Sequence, residues 1–228
     1  MKIKAAVLYE VNTPLVVETL DLDDPKEGEV LVHLASAGVC HADYHVMKGE
    51  WKAPLPMVLG HEAAGVVEKI GPGVSLSKPG DHVILNFRPN CGWCRYCAVG
   101  RPVLCNGADT ARWMMFDGTA RLHKGNQDIN HFARTASFAE YVVVPQSGAV
   151  PVREDMPLDK ACLIGCSVMT GVGSVINTAK VRPGSSVVAR CGRSDSSGLS
   201  TEVVRRRGSS SSRPHLSKMP AGRNGVGR

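Results

Sequence analysis

Cys40, His41, Asp43 and His45 fall within six positions of the segment GVCHADYHVMKGEW, Gly38 to Trp51. Thiolate, imidazole and carboxylate are the side chains that hold transition metals and carry protons near neutral pH. A second group is denser in sulfur: Cys91-x2-Cys94-x2-Cys97-x7-Cys105. Four thiolates at such spacing wrap one tetrahedral zinc, with metal–sulfur distances of about 2.3 Å. Protein would fill every position, so such a site is closed and structural. An iron–sulfur cluster and four unmetallated thiols are the alternatives that spacing leaves open. A third group is Gly60-His61-Glu62, with a further thiol at Cys166 in LIGCSVMTG. One His and two Cys make a catalytic zinc set, with three protein ligands and an open position. Cys40, His61 and Cys166 would form it if the fold brings them together. A lone His is more often a packed surface residue than a ligand. Cys166 could equally pack in a helix, which is the reading kept for Cys162.

The elements that must position these groups are short. IKAAVLY, LVVETL, EVLVHLASA and AAGVVEKI are rich in Val, Leu and Ala and are separated by Pro, Gly and Asp. That pattern predicts strands of a barrel or sandwich. His41 to Gly49 is predicted as one short helix, presenting Cys40 at its N-terminal end. The Cys-rich loop runs over 90–106, and residues 107–137 read as irregular. FAEYVVV is a further strand. Leu158 to Ala179 has the apolar spacing of a helix, and SSVVA starts like a buried strand.

The 228 residues carry a net charge of +6. From Ala189 onward there are eight Arg and one Lys against one Asp and one Glu, a net +7, so residues 1–188 sum to −1. The body is neutral, and a specific nucleic-acid-binding role for it is excluded on that count. The basic tail alone would give salt-sensitive, nonspecific binding. No stretch reaches the roughly 18 apolar residues of a membrane span. The charged start MKIKAAVLYE is no secretory signal, so a cytoplasmic location is expected. Eight Cys in that compartment suggest metal rather than disulfides.

Together the motifs resemble the zinc-dependent medium-chain alcohol dehydrogenases, over about residues 3–188. Gly60, His61, Glu62, Gly65, Gly71 and Val74 fit each fixed position of the family's zinc signature, and the four-Cys lobe follows at the expected distance. The stretch Met114 to Pro145 is similar to the branch that holds class III, glutathione-dependent formaldehyde dehydrogenases and bacterial relatives. The resemblance implies a mainly β, GroES-like catalytic domain with short helices over 1–157, including a zinc lobe at 90–106. Residues 158–188 would be the helix and first strand leading into an incomplete Rossmann domain, and 189–228 a disordered basic tail.

The same resemblance assigns roles. Cys40, His61 and Cys166 match the catalytic zinc ligands. Glu62 matches the acid beside the metal, able to approach it when the ligand sphere rearranges. Asp43 matches the carboxylate that orients the ligating His. His45 matches the group that passes a proton to solvent, His41 the contact to the cofactor pyrophosphate, and Phe87 an aromatic wall of the substrate pocket. Cys91, Cys94, Cys97 and Cys105 match the structural zinc ligands. The implied cofactors are two zinc ions per chain and NAD. The implied partners are a small alcohol or aldehyde and a homodimer or homotetramer. Zinc acts there as a Lewis acid on the substrate oxygen, and hydride passes to a nicotinamide ring.

Two departures qualify this. Ala42 stands where the family usually has Ser or Thr, and alanine cannot relay a proton. After SSVVA, the segment RCGRSDSSG does not give the Gly-rich dinucleotide fingerprint. Shifting VVRRRGSSSS by one base allows Gly-Ala-Ala-Ala-Gly-Val-Val-Val-Val, the pattern that opens a Rossmann unit. A reading frame that slips between Val188 and Arg193 would explain the tail, although any GC-rich frame yields Ala, Gly and Val when shifted. With such a slip the chain should neither bind NAD tightly nor turn over alcohol. The alternative function is then a catalytically inactive zinc-binding remnant.

Overall fold

The computed structural model describes residues 1–107, 112–194 and 198–206. The chain divides into a unit spanning Met1–Thr170 and a unit spanning Gly171–Arg228.

In the first unit, β1 (Lys2–Leu8) alternates as its sequence demands. Ile3, Ala5 and Val7 are buried, whereas Lys2 and Lys4 face solvent. It pairs antiparallel with β2 (Val16–Leu22), from Lys2 opposite Asp21 to Val7 opposite Val16. A hairpin of β7 (Leu122–Lys124) and β8 (Gln127–His131) continues the sheet, and β4 (Met57–Val58) closes it into a barrel against both β1 and β8. Ile3, Val7, Leu20, Leu22, Val58, Leu122 and Ile129 fill its interior.

The second layer is a five-stranded sheet in the order β10 (Ala149–Pro151), β6 (His82–Leu85), β5 (Glu62–Ile70), β3 (Glu29–Gly38) and β9 (Tyr141–Pro145). Val30, Val32, Val67, Val83, Leu85 and Val144 form its core. One buried ion pair ties this sheet to the barrel. Arg121 meets Glu29 through two hydrogen bonds, Nε to Oε2 at 2.8 Å and Nη2 to Oε1 at 2.6 Å. The Arg121 N–H donates to His131 Nε2 at 2.9 Å. Burial first, and then the Arg121 charge, push His131 down to about 3, so this ring stays neutral and can accept that bond.

Two expectations are corrected. Residues 107–137 are not uniformly irregular, because they contain the β7–β8 hairpin. Its two-residue connection, Gly125–Asn126, has Gly125 at φ +59°, a backbone conformation that favours glycine in tight hairpins. The helix expected over 158–179 is interrupted. It runs as α3 (Leu158–Ala161), a π-type turn (Ile164–Val168), α4 (Met169–Gly173) and a second π-type turn (Ser174–Thr178). Gly165, Gly171, Gly173 and several β-branched residues lower helix propensity there. The expected helix after Cys40 is α1 (His41–Met47), and α2 (Arg95–Ala98) lies in the Cys-rich loop.

In the second unit, β11 (Ser186–Ser194) pairs antiparallel with β12 (Gly198–Arg206). The ladder takes in part of the tail expected to be disordered from 189. Val187, expected to be buried, is 42% exposed. Residues 207–228, the rest of that tail, lie outside the described residues.

Candidate metal centres and the adjoining pocket

The Cys-rich loop folds back on itself through α2. Its sulfur atoms approach one another: Cys94 to Cys97 at 3.5 Å, Cys91 to Cys105 at 3.6 Å, and Cys94 to Cys105 at 3.8 Å. These separations are far too long for a disulfide. A tetrahedron with metal–sulfur distances of about 2.3 Å has sulfur–sulfur edges of about 3.8 Å, close to these three separations, and all four sulfurs lie within 4.8 Å of one another. The N–H groups of Cys91 and Gly107 donate to the Cys105 sulfur at 3.3 and 3.2 Å, and the Cys94 N–H donates to Cys91 at 3.3 Å. Such bonds favour thiolate. A backbone N–H from Cys97 holds Cys94 down to about 6, whereas burial pushes Cys97 up to about 12. The crowded thiols cannot all ionise without a cation among them.

The second group is assembled from three separate stretches of the chain. Cys40 ends the loop after β3 and precedes α1. His61 directly precedes β5, which Glu62 opens, and Cys166 lies in the first π-type turn. The ligating atoms of Cys40, His61, Glu62 and Cys166 all lie within 4.8 Å of one another. Asp43, which is fully buried, holds the arrangement. Its Oδ2 accepts the Cys40 N–H at 3.1 Å, and its Oδ1 accepts the Gly60 N–H at 3.0 Å and lies 3.1 Å from His61 Nδ1. With Nδ1 donating to this carboxylate, Nε2 carries the lone pair that a metal needs.

Glycine is required on either side of that ring system. Gly60 has φ +88°, and a Cβ there would lie 2.5 Å from Phe138 and 2.6 Å from Ser137 Oγ. A Cβ on Gly165 would lie 1.8 Å from the carbonyl oxygen of Leu85. The turn can therefore press against β6 and deliver Cys166. Burial, followed by the nearby Cys40, pushes Cys166 up to about 12. Two thiols and a carboxylate gathered around an imidazole are a donor set suited to a divalent cation.

His45 hydrogen-bonds Glu50 through Nδ1, stacks on Trp51 at 4.9 Å between centroids, and meets the edge of His41 at 4.5 Å. His41 is exposed. Phe87 and Phe132 stand edge-on to His61 at 5.9 and 5.3 Å. A cavity of about 280 Å³ opens beside His61 and Cys166. Ala42, Trp51, Phe87, Trp113 and Phe132 line its apolar walls, and Arg88, Arg112 and Arg134 line it as well. Of these, the sequence reading had singled out only Phe87 and Ala42. Trp113, Phe132 and the arginines come from segments with no periodicity to place them. Trp51 had a usable signal, since it lies six residues beyond His45 in the opening cluster.

A family model described as "Alcohol dehydrogenase GroES-like domain" matches residues 26–154. The chain belongs to the zinc-dependent medium-chain alcohol dehydrogenase family. Curated relatives of this chain include the NDMA-dependent alcohol dehydrogenase of Amycolatopsis methanolica, 45% identical over 189 residues, covering 82% of this chain and 51% of that protein. The putative alcohol dehydrogenase D of Mycobacterium tuberculosis is 44% identical over the same shares of each chain. The crystal structure of an alcohol dehydrogenase zinc-binding domain protein from Burkholderia ambifaria aligns with a TM-score of 0.75 at 36% identity, covering 82% of this chain and 51% of that one. The chain thus spans about half the length of the curated relatives it matches. No helix among the described residues is long and apolar enough to cross a membrane.

Proposed function

We propose that the Met1–Thr170 unit is the catalytic part of an NAD-linked alcohol dehydrogenase that interconverts a small alcohol and its aldehyde. The observation that carries this is the convergence of Cys40, His61 and Cys166, with Glu62 beside them, at the floor of an aromatic pocket. A zinc ion held there would supply Lewis acidity to the substrate oxygen. Glu62, whose carboxylate lies within 4.8 Å of the other three ligating atoms, would offer that ion a further oxygen donor. Asp43 fixes the His61 tautomer and ties it to the Cys40 backbone. Phe87, with Phe132 and Trp113, excludes water and orients the substrate carbon.

The released proton must leave the pocket. His45 is the acceptor assigned to it, and Glu50 and Trp51 hold its ring. Ala42 lines the pocket without a hydroxyl, so a water has to bridge from the substrate to His45. His41, one turn away on the exposed side of α1, is assigned to the cofactor pyrophosphate. Cys91, Cys94, Cys97 and Cys105 hold a second, structural zinc. These roles give two zinc ions per chain.

One sequence observation favours a second reading, a zinc-binding protein without hydride transfer. No Gly-rich dinucleotide fingerprint follows Ser185 in the expected place. Incubating the zinc-loaded chain with NAD and a panel of primary alcohols separates the two. Growth of the reduced nicotinamide absorbance supports the dehydrogenase. Two bound zinc ions with no such growth support the second reading.

A further inference from the structure

Phe132, which stands edge-on to the His61 ring, opens a turn whose backbone is strained. Ala133, Arg134 and Ala136 have φ of +55°, +59° and +52°, left-handed values that a residue with a Cβ adopts at a cost. Such conformations persist where the surroundings hold them. One anchor lies beside the His61 site. The Thr135 hydroxyl is 3.0 Å from the Gly60 carbonyl oxygen and 2.9 Å from that of Phe132. The Ser137 N–H donates to the same Gly60 carbonyl at 3.0 Å.

The other anchor is the buried side chain of Arg134, which reaches the Cys-rich lobe. Its guanidinium carbon stands 4.6 Å over the centre of the Phe116 ring. Phe116 in turn meets Trp93, which lies between Cys91 and Cys94, at 6.0 Å. A Cβ built on Gly107 would come within 2.8 Å of Arg134 Nη2, so the guanidinium packs against bare backbone there. The Gly107 N–H donates to the Cys105 sulfur at 3.2 Å. Cys105 and Arg134 also line the pocket, together with Phe132. Resting on the dehydrogenase reading above, we propose that Arg134 is a positioning residue: its guanidinium, clamped between Phe116 and Gly107, holds the left-handed turn and so sets Phe132 against His61 and the substrate. The four-Cys lobe then shapes the pocket through Arg134 as well as holding its own ion. A competing role for Arg134 is to balance the charge of the lobe, because four thiolates around one dication retain negative charge.

Phe132 stacks on Trp113 at 6.0 Å between centroids, so Trp113 reports on the wall. The chain has three tryptophans, and Trp51→Phe with Trp93→Phe leaves Trp113 alone. Acrylamide quenching of the full-length, zinc-loaded protein in this background then reads the wall without any ligand. Arg134→Gly removes the clamp, and glycine accepts the positive φ without strain. Trp113 should become more open to acrylamide, with both zinc ions retained. Arg134→Lys keeps the charge but not the flat group and should open Trp113 as well. Phe116→Leu removes the other half of the clamp, carries the same test should Arg134→Gly fail to fold, and should add little when combined with it. With all three tryptophans in place, benzyl alcohol binding read from fluorescence should weaken about tenfold in Arg134→Gly, as expected when a pocket wall loses its fit. Unchanged quenching in Arg134→Gly, or fully additive effects with Phe116→Leu, overturns the clamp. Parent-like quenching in Arg134→Lys, with lobe zinc lost in Arg134→Gly, assigns Arg134 to charge balance and overturns it too. If Trp113 opens as expected but benzyl alcohol leaves the parent fluorescence untouched, the dehydrogenase reading falls while the clamp stands.

Discussion

Replacing Asp43 by Asn should weaken zinc at the Cys40–His61–Cys166 site and leave the four-Cys site intact. Asp43 is wholly buried and accepts from three donors, the N–H groups of Cys40 and Gly60 and the ring of His61. Asparagine retains the shape. If its oxygen occupies the Oδ1 position, it keeps Gly60 and His61 but points an NH2 group at the Cys40 N–H. If it is flipped, it opposes two donors instead. Either way the negative charge beside the His61 ring is gone. Changes to partners of this kind typically cost about 10–100-fold in metal affinity, or roughly 1.4–2.7 kcal/mol. Competition between the protein and a chromogenic chelator should show one zinc ion released at correspondingly lower chelator concentration. Unchanged affinities for both ions would refute the idea that Asp43 organises the site. Simultaneous loss of both would mean that it supports the fold alone.

Three other outcomes follow from the same geometry. Gly165→Ala places a Cβ where only 1.8 Å separates it from the Leu85 carbonyl oxygen; the turn must move, and metal analysis should find the Cys166 site depleted while lobe zinc stays. His131 is held neutral in the folded chain, down to about 3, whereas an unfolded His titrates near 6.5. The unfolded state therefore gains a proton first as pH falls, and stability should decline from about pH 6.5 toward pH 3; urea melts across that range should show a shallower decline in His131→Gln, and an identical slope would count against the buried neutral ring. In any active form of the protein, Ala42→Ser or Ala42→Thr should speed alcohol oxidation, most visibly below neutral pH; a rate unchanged across the pH range would mean that the bridging water already relays the proton as fast as a hydroxyl would.

The parts of the site legible in the sequence are those with fixed local spacing. The four Cys of the lobe and the pattern from Gly60 to Val74 carry their geometry in one stretch of chain, and Cys40 precedes a helix that its neighbours announce. Strands β1, β2, β3, β5 and β9 were legible from Val-rich runs between Pro and Gly. The β7–β8 hairpin was missed although Gly125–Asn126 is a turn signal, because the flanking strands are short and polar. The helix after Leu158 has helical apolar spacing, but glycines and tertiary contacts at Gly165 break it into α and π turns. Trp113, Phe132 and the pocket arginines were not legible, since contacts between distant parts of the chain, rather than periodicity, bring them to one pocket.

The central claim is that the chain builds two distinct zinc sites. Metal analysis of the purified chain and of its Cys97→Ser and Cys166→Ser variants tests it most directly. The account predicts close to two equivalents in the parent. Each variant should keep one, Cys97→Ser losing the lobe ion and Cys166→Ser losing the ion beside His61. A parent with one equivalent, or variants that both retain two, would contradict it.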